Sequence, residues 1–320
     1  MIRRALPLLA ASALACACAE PCLCRRSDPE HSAQGRQYRW INPLLDCDTN
    51  MEFVEIRSFK RRIQQYLTEA ETAGKVTHVS VYYRDLNNGP WFGIAERVEF
   101  EPASLTKLPL LIGVLKQAES NPGLLSETTA FDRSLQIPQE QSFSSKSVLQ
   151  PDTPYTLEQL AIAMISRSDN YAAIMLMRIF GAKGIEEVYG DLGVPIPADG
   201  IPVVMQVKQY AGLFRVLFNA SYLSRAMSEK ALGWLVQSDF KDGLAAGVPA
   251  DVPVAHKYGE RSFEDAAVKQ LHDCGIVYYP GHPYLLCVMT RGNDFSALKG
   301  LLQGVSSLVY REVDSQIRAK

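Results

Sequence analysis

The stretch Phe100-Glu101-Pro102-Ala103-Ser104-Leu105-Thr106-Lys107 opens an apolar run typical of a helix and places a lysine three residues after a serine. Two further motifs follow it in order, Ser168-Asp169-Asn170 and Lys257-Tyr258-Gly259. Because positions i and i+3 of a helix share one face, Lys107 can reach the Ser104 hydroxyl. The ordered set supplies an acylatable serine, a lysine base, a polar pair and a second cation, and it indicates an acyl-serine enzyme.

Each motif alone is weak, since the same spacings recur elsewhere in the chain. Serine precedes lysine by three residues at 238–241 and at 296–299, and Lys-x-Gly recurs at 241–243. Only the set that begins at Ser104 is followed by a Ser-Asp-Asn and then by a Lys-x-Gly inside alternating β sequence. Order and context therefore select Ser104.

Composition limits the partners. The chain has 320 residues, of which 47% are hydrophobic, and a formal net charge of -2. This length allows one large domain or two interleaved lobes with an ample core. The charge gives no basic surface for nucleic acid, so we expect a small-molecule or peptide substrate and no nucleic-acid partner. No metal-ligand spacing or Gly-rich phosphate loop is visible, and we expect no metal, no cofactor and a monomer.

The first residues have the pattern of an export signal. Met1-Ile2-Arg3-Arg4 precedes an apolar run that is too short to span a bilayer. One interpretation is a plain secretory signal, cleaved after Ala15 or after Ala19. The other is an imperfect lipoprotein box in which Cys16 is lipidated, the sole membrane attachment that we expect. The plain signal is favoured because alanine, not leucine, stands three residues before the cysteine. We expect an exported protein, either periplasmic, in the cell envelope or secreted.

Two cysteines in the second half of the chain lie on either side of a turn. Cys274 and Cys287 flank Tyr279-Pro280-Gly281-His282-Pro283, between two apolar β-like runs. A two-residue loop at Pro280-Gly281 would set the cysteines opposite each other across a hairpin. A disulfide and two buried thiols both fit this pattern.

Hydrophobic patterns predict a sheet whose strands come from both ends of the chain, with a helical lobe between them. The predicted strands lie at 76–85, 91–94, 252–258, 275–279 and 284–290. The clearest predicted helices lie at 59–73, 157–166, 171–180, 228–237 and 295–312. Residues 1–19 are predicted to be a signal peptide and 20–39 a polar tether.

Each motif also has a purely structural interpretation. Ser104 can be a helix N-cap beside a solvated lysine, Asp169 and Asn170 can simply cap a helix, and Lys257 can be an edge-strand lysine. In the functional interpretation Ser168 relays a proton, and the Asn170 amide holds the lysine and the substrate. Strand alternation puts Lys257 and Gly259 on one face, where glycine admits a substrate backbone. His256 receives little weight as a catalyst.

Over about residues 59–311 the chain resembles the class A β-lactamase and penicillin-recognising serine hydrolase family. The resemblance rests on the Ser104 stretch quoted above, on Ile165-Ser166-Arg167-Ser168-Asp169-Asn170 and on His256-Lys257-Tyr258-Gly259-Glu260. It implies a two-lobed α+β fold, an antiparallel sheet flanked by N- and C-terminal helices with an inserted all-helical lobe. The catalytic domain would span 40–320, with an α/β lobe at 40–101 and 226–320 and a helical lobe at 102–225.

The same resemblance implies a role for each site residue. Ser104 is the acylated nucleophile, Lys107 the base and Ser168 the relay. Asn170 is a positioning amide that binds substrate, and Lys257 is a cation that faces a substrate carboxylate and lowers the pKa of Lys107. The backbone N–H groups of Ser104 and Glu260 form the oxyanion hole, with Gly259 and Glu260 contacting the substrate.

Two departures from the family pattern bear on turnover and substrate. Family β-lactamases carry a Glu-x-x-Leu-Asn loop whose glutamate activates the deacylating water. Here only residues 193–204 connect the flanking elements, with Asp199 as their single carboxylate, so we expect this loop to be deleted. Tyr258 stands where the family has threonine or serine.

The sequence therefore predicts a serine hydrolase that forms an acyl-enzyme at Ser104 with a β-lactam or a D-amino-acyl peptide. Deacylation would depend on Lys107 and Ser168, or on Asp199. Two alternatives remain open: a penicillin- or peptidoglycan-binding or sensing module without turnover, and a D,D-peptidase or esterase on the same fold.

Overall fold

A computed structural model of the chain describes residues 38–43, 56–74, 76–131, 142–143, 149–150, 152–194, 204–262 and 267–319. The predicted signal peptide, Cys16 and nearly all of the polar tether lie outside these residues, as does Asp199. Of the helices that are described, none combines the length and the apolar character needed to cross a membrane.

Strands and helices alternate in blocks along the chain. The strands are β1 (Val76–Asp85), β2 (Trp91–Ile94), β3 (Glu99–Phe100), β4 (Thr128–Ala130), β5 (Pro154–Thr156), β6 (Met205–Gln206), β7 (Val254–Ser262), β8 (Lys269–Val277) and β9 (Tyr284–Gly292). The helices are α1 (Arg57–Thr72), α2 (Lys107–Ser120), α3 (Leu157–Ser166), α4 (Asn170–Leu192), α5 (Val207–Phe218), α6 (Arg225–Leu235) and α7 (Phe295–Arg318).

The main sheet is antiparallel and has the order β2-β1-β9-β8-β7. Its strands come from both ends of the chain, as the sequence predicts. The fold class is confirmed, an α+β fold with a flanked antiparallel sheet. The part of the chain predicted to be all-helical also contains the short antiparallel pair β4–β5.

Side chains of the sheet alternate between two cores. Val81, Leu286 and Val288 pack with α1 and α7 on one face, whereas Tyr82 and Met289 join the core of the helical lobe on the other. This division follows from the two-residue period of a strand. On the helical-lobe face, Gly259 of β7 packs against Pro102 and Leu105, just before Lys107 begins α2.

Strand β8 begins six residues earlier than the predicted 275–279. Its first half is Lys269-Gln270-Leu271-His272-Asp273, which lacks an apolar alternation, yet Gln270, His272 and Asp273 are all buried. Buried polar side chains of this kind are stable when they are hydrogen-bonded, and hydrophobic pattern alone does not reveal them. Within this missed half, His272 faces the helical lobe, whereas Asp273 faces the α7 side of the sheet.

The predicted hairpin is confirmed. Cys274 pairs with Cys287 in the β8–β9 register, and the two form a disulfide. The turn between the strands is closed by a hydrogen bond from the His282 N–H to the Tyr279 carbonyl oxygen, at 2.9 Å. Gly281 has a φ of +71°, a conformation that glycine adopts without steric penalty.

Candidate active site

Ser104 lies on a short 3-10 turn, Ala103–Thr106, that leads directly into α2. Ala103 has a φ of +49°, in the left-handed region. The Leu105 N–H donates to the Pro102 carbonyl oxygen at 3.0 Å, and Thr106 Oγ1 donates to the Ala103 carbonyl oxygen at 2.8 Å. We call residues 101–106 the nucleophile turn. It keeps the Ser104 side chain half-exposed while Leu105 is fully buried.

Side chains from α4 and α5 and a glycine of β7 contact the backbone of the nucleophile turn. Tyr210 Oη donates to the Leu105 carbonyl oxygen at 3.1 Å, and Tyr189 Oη donates to that of Thr106 at 3.3 Å. From β7, Gly259 packs so closely that a Cβ atom there would lie 2.6 Å from the Pro102 carbonyl oxygen and 3.1 Å from the Leu105 nitrogen. Gly259 therefore admits the chain's own backbone, and its predicted contact with substrate stays a prediction.

Lys107 Nζ lies at the centre of the motif residues. It is 3.2 Å from Ser104 Oγ, 3.2 Å from Ser168 Oγ, 2.5 Å from the Ser168 carbonyl oxygen and 2.7 Å from Asn170 Oδ1. The structure thus joins residues 104, 107, 168 and 170 in one cluster. The solvated-lysine alternative is excluded, because Lys107 is only 6% exposed.

Burial lowers the pKa of Lys107 to about 7, although the negative charges of Asp169 and Glu260 partly oppose this shift. The Asp169 carboxylate is itself used in a helix cap, where Oδ1 accepts from the Ala172 N–H at 3.0 Å. The hydrogen bonds of the amine go to hydroxyl and carbonyl oxygens. Burial therefore brings the pKa of Lys107 close to neutral pH, where a substantial fraction of the amine is neutral.

A polar corner between α3 and α4 carries Ser168 and Asn170. Ser168 has a φ of +57° and is 1% exposed. A left-handed conformation costs a residue with a Cβ roughly 1 to 2 kcal/mol, and such strain clusters at functional sites. Asp169 caps α4, as the structural interpretation expects, and Asn170 holds Lys107, as the functional interpretation expects. Both interpretations apply to this one motif.

Lys257 approaches the cluster from the strand β7. Its Nζ donates to Ser168 Oγ at 2.9 Å and to the Tyr258 carbonyl oxygen at 2.7 Å, and the residue is 1% exposed. Burial, followed by the neighbouring Lys107, holds the pKa of Lys257 well below its usual range. The amine is thus directed at Ser168 inside the protein, and a contact with a substrate carboxylate stays a prediction. Burial, rather than Lys257, is the main cause of the low pKa of Lys107.

Tyr258 turns away from Ser104, towards the face of the sheet that packs on α7. It is 2% exposed and stacks on Phe240 with 4.2 Å between ring centroids. Lys257 Nζ lies 4.3 Å from the centre of its ring, a cation–π geometry when the amine is protonated. The Tyr258 ring therefore packs against the Lys257 amine.

The open edge of β7 presents the Glu260 backbone to the site. The Tyr278 N–H donates to the Pro253 carbonyl oxygen, which makes 253 and 278 a hydrogen-bonded pair of the β7–β8 ladder. Since such pairs alternate, the N–H groups of residues 258 and 260 point away from β8. The Glu260 N–H has the direction that its predicted place in an oxyanion hole requires.

The Glu260 side chain has a different contact from its backbone. Its carboxylate accepts hydrogen bonds from the N–H groups of Ser142 and Phe143, at 2.7 and 3.0 Å. Phe143 in turn packs edge-on against Phe240 and Phe295. The carboxylate therefore fixes residues 142–143 beside the edge of β7, and its predicted contact with substrate stays a prediction.

The structure also forms a His–Asp pair that the sequence did not suggest. His256 Nδ1 lies 2.8 Å from Asp273 Oδ1, and both residues are fully buried. Asp273 Oδ2 also accepts from the Leu244 N–H at 2.8 Å. The pair lies on the α7 side of the sheet, opposite to Lys257 and Gly259. It does not compete with Lys107 as a base for Ser104.

Replacing Gly259 by alanine tests how the nucleophile turn is held. In Gly259→Ala the new Cβ must displace Pro102 and Leu105, and a displacement of about 1 Å is expected to slow acylation of Ser104 roughly 100-fold. The measurement is the rate of labelling by a fluorescent penicillin. Gly300→Ala is the matched control, since a Cβ there meets nothing within 4 Å. A wild-type rate in Gly259→Ala would contradict this account of the turn.

Solved structures share this fold. A mutant of PBP-A in acyl-enzyme complex with penicillin G matches with a TM-score of 0.67 and 22% identity, covering 80% of this chain and 97% of that chain. A β-lactamase from Chitinophaga pinensis matches with a TM-score of 0.69 and 21% identity, covering 79% of this chain and 99% of that chain. The extended-spectrum β-lactamase TLA-3 matches with a TM-score of 0.71 and 17% identity, covering 80% of this chain and 98% of that chain. At these identities the likeness is one of fold.

Sequence comparison assigns the family. No curated protein matches the chain. The model of the β-lactamase enzyme family matches residues 58–313, a span that contains Ser104, Ser168 and Lys257. The chain therefore belongs to the β-lactamase enzyme family, with the fold of the class A β-lactamases.

Proposed function

We propose that this protein is a serine hydrolase that forms an acyl-enzyme at Ser104 with a β-lactam or a D-amino-acyl peptide. The observation that carries the proposal is the buried Lys107 amine, 3.2 Å from the hydroxyl oxygens of both Ser104 and Ser168. Ser104 is half-exposed whereas its base is buried, so that a substrate can reach the nucleophile but bulk water does not solvate the amine.

A count of donors and acceptors supports Lys107 as the base. A neutral amine has two N–H donors and one lone pair. The Ser168 carbonyl oxygen and Asn170 Oδ1 can only accept, and they lie closest, at 2.5 and 2.7 Å. Once both N–H groups are donated to them, the lone pair is left for a hydroxyl. It accepts the Ser104 proton as Oγ attacks the acyl carbon.

The remaining steps use the neighbouring groups. The oxygen of the tetrahedral intermediate receives hydrogen bonds from the N–H groups of Ser104 and Glu260. The proton on Lys107 passes through Ser168 Oγ to the departing nitrogen, which leaves Ser104 acylated and Lys107 neutral. Lys257 donates to Ser168 Oγ at 2.9 Å and so orients that hydroxyl for the transfer.

Release of the acyl group requires a base for water. Among the described residues, Asp169 Oδ1 and the Glu260 carboxylate accept backbone N–H groups, and Asp169 Oδ2 is buried away from solvent without a hydrogen-bond partner. We therefore propose that deacylation depends on Lys107 and Ser168, or on Asp199, which lies outside the described residues.

A second candidate function is capture of a penicillin or a peptidoglycan-like ligand without turnover. The expected deletion of the Glu-x-x-Leu-Asn loop favours it, because an acyl-enzyme without a water-activating base persists. Hydrolysis of nitrocefin beyond one equivalent per chain would exclude pure capture. A burst of one equivalent followed by no further hydrolysis would exclude a β-lactamase.

The compartment belongs to the same proposal. Peptidoglycan-like substrates lie in the cell envelope, and residues 1–19 have the pattern of an export signal. We propose that the protein is exported. A lipid on Cys16 would be its anchor under the lipoprotein alternative.

Replacement of Ser104 tests the nucleophile. We expect a fluorescent penicillin to label the wild type at one equivalent and to leave Ser104→Ala unlabelled, since the alanine lacks the attacking oxygen. Ser296→Ala is the matched control, because Ser296 also precedes a lysine by three residues but is exposed at the start of α7. An unlabelled wild type, or equal labelling of Ser104→Ala, would reject the proposal.

The acylation rate is expected to rise with pH through about 7, the value to which burial lowers the pKa of Lys107. Below that pH the lysine is protonated and has no lone pair for the Ser104 proton; above it the neutral base predominates. The measurement is the second-order rate constant for penicillin labelling on both sides of this pH. A rate that is flat there, and rises only near the ordinary lysine pKa, would contradict Lys107 as the neutral base.

A further inference from the structure

His272 is a fully buried residue of β8 that faces the helical lobe, and the proposed catalytic steps do not use it. It pairs in register with Gly259 on β7. Both residues touch the nucleophile turn: Gly259 packs on Pro102 and Leu105, and His272 Nε2 lies 3.0 Å from the Glu101 carbonyl oxygen. Gly259 and His272 are neighbours in the sheet, and together they support the nucleophile turn.

The hydrogen bonds of His272 define its tautomer. A carbonyl oxygen only accepts, so Nε2 carries a hydrogen and donates to Glu101. Nδ1 lies 3.1 Å from the Thr290 N–H, which only donates, so Nδ1 is the unprotonated acceptor. Burial lowers the pKa of His272 to about 4; the hydrogen bonds to the backbone of Glu101 and Leu271 partly oppose this shift, and the nearby Arg291 cation adds to it. The imidazole is therefore neutral, with both nitrogens satisfied.

The contact with Glu101 falls where the chain turns towards the nucleophile. The neighbouring Phe100 meets the His272 ring edge-on, with 5.4 Å between centroids. Arg291 donates to the Glu99 carbonyl oxygen at 2.9 Å. Two residues after Glu101, Ala103 takes its left-handed conformation, which needs outside support because it is strained.

We infer that His272 is a positioning residue for Ser104, holding the Glu101 carbonyl so that the nucleophile turn keeps the Ser104 hydroxyl in reach of Lys107. The inference rests on the proposed function, in which Ser104 is acylated. His272 acts through the backbone and touches no reacting atom. Its imidazole accepts from the Thr290 N–H at Nδ1 and donates to the Glu101 carbonyl oxygen at Nε2, so both ring nitrogens are needed to connect these two groups.

Asparagine and glutamine each reproduce one half of the imidazole. The Asn amide oxygen takes the place of Nδ1 and can accept from Thr290, but its side chain is too short to reach Glu101. The Gln amide nitrogen takes the place of Nε2 and can donate to Glu101. Each variant loses one hydrogen bond and is expected to lose stability, so that only the Glu101 contact separates them.

The test compares His272→Asn with His272→Gln by two measurements. The first is the rate constant for labelling of Ser104 by a fluorescent penicillin; the second is amide hydrogen exchange over residues 101–107, which needs no substrate. We expect His272→Asn to acylate about 100-fold more slowly, as for a displacement of about 1 Å, and to exchange faster in this segment. His272→Gln is expected to stay close to the wild type in both.

The control is His256→Gln, which alters an equally buried histidine on the other face of the sheet. It is expected to lower stability without changing exchange over 101–107. Equal acylation rates for the two His272 variants, whether slow or normal, would overturn the inference. If His272→Asn does not fold, a slow rate in folded His272→Gln overturns it. An unlabelled wild type rejects the proposed function alone, and hydrogen exchange still decides the role of His272.

Discussion

The site depends on the burial of one lysine amine inside the protein. Lys107 is buried, and its nitrogen meets hydroxyl and carbonyl oxygens of Ser104, Ser168 and Asn170. Burial disfavours its charged form and brings its pKa to about 7, as the proposed role of a base near neutral pH requires. The lysine comes from the start of α2, whereas Ser168 and Asn170 come from the corner before α4. The amine therefore exists as a base only while these elements stay packed together.

Two residues near Lys107 have strained backbone conformations, and neighbouring groups stabilise each of them. Ala103 and Ser168 both adopt left-handed conformations, one on each side of Lys107. The Ser168 corner is held by the Asp169 cap and by Lys257, and the nucleophile turn is held by the sheet and by two tyrosines. Strands β7 and β8 therefore help to fix the position of Ser104, because Gly259 and His272 contact the nucleophile turn.

Local sequence rules predicted the sheet and the Ser104–Lys107 pair, and the ordered motifs with the family resemblance predicted the other members of the cluster, but neither predicted the contacts that support them. The i, i+3 spacing brought Lys107 to Ser104, strand alternation separated Lys257 from Tyr258, and the loop at Pro280-Gly281 set Cys274 opposite Cys287. The contact of His272 with Glu101 and that of Tyr210 with Leu105 join residues more than a hundred positions apart, and a single sequence carries no signal for them. The expected loop deletion stays a prediction, since residues 195–203 lie outside the described chain.

The central claim is that buried Lys107 activates Ser104, and an intact-mass time course with a penicillin tests it most directly. We expect the wild type to gain the mass of one penicillin, with digestion locating the adduct on the peptide that contains Ser104, and we expect this adduct to decay slowly. Lys107→Met, which keeps the apolar stem but removes the amine, should gain no adduct on that time scale. An adduct on another residue, or acylation of Lys107→Met at the wild-type rate, would contradict the account.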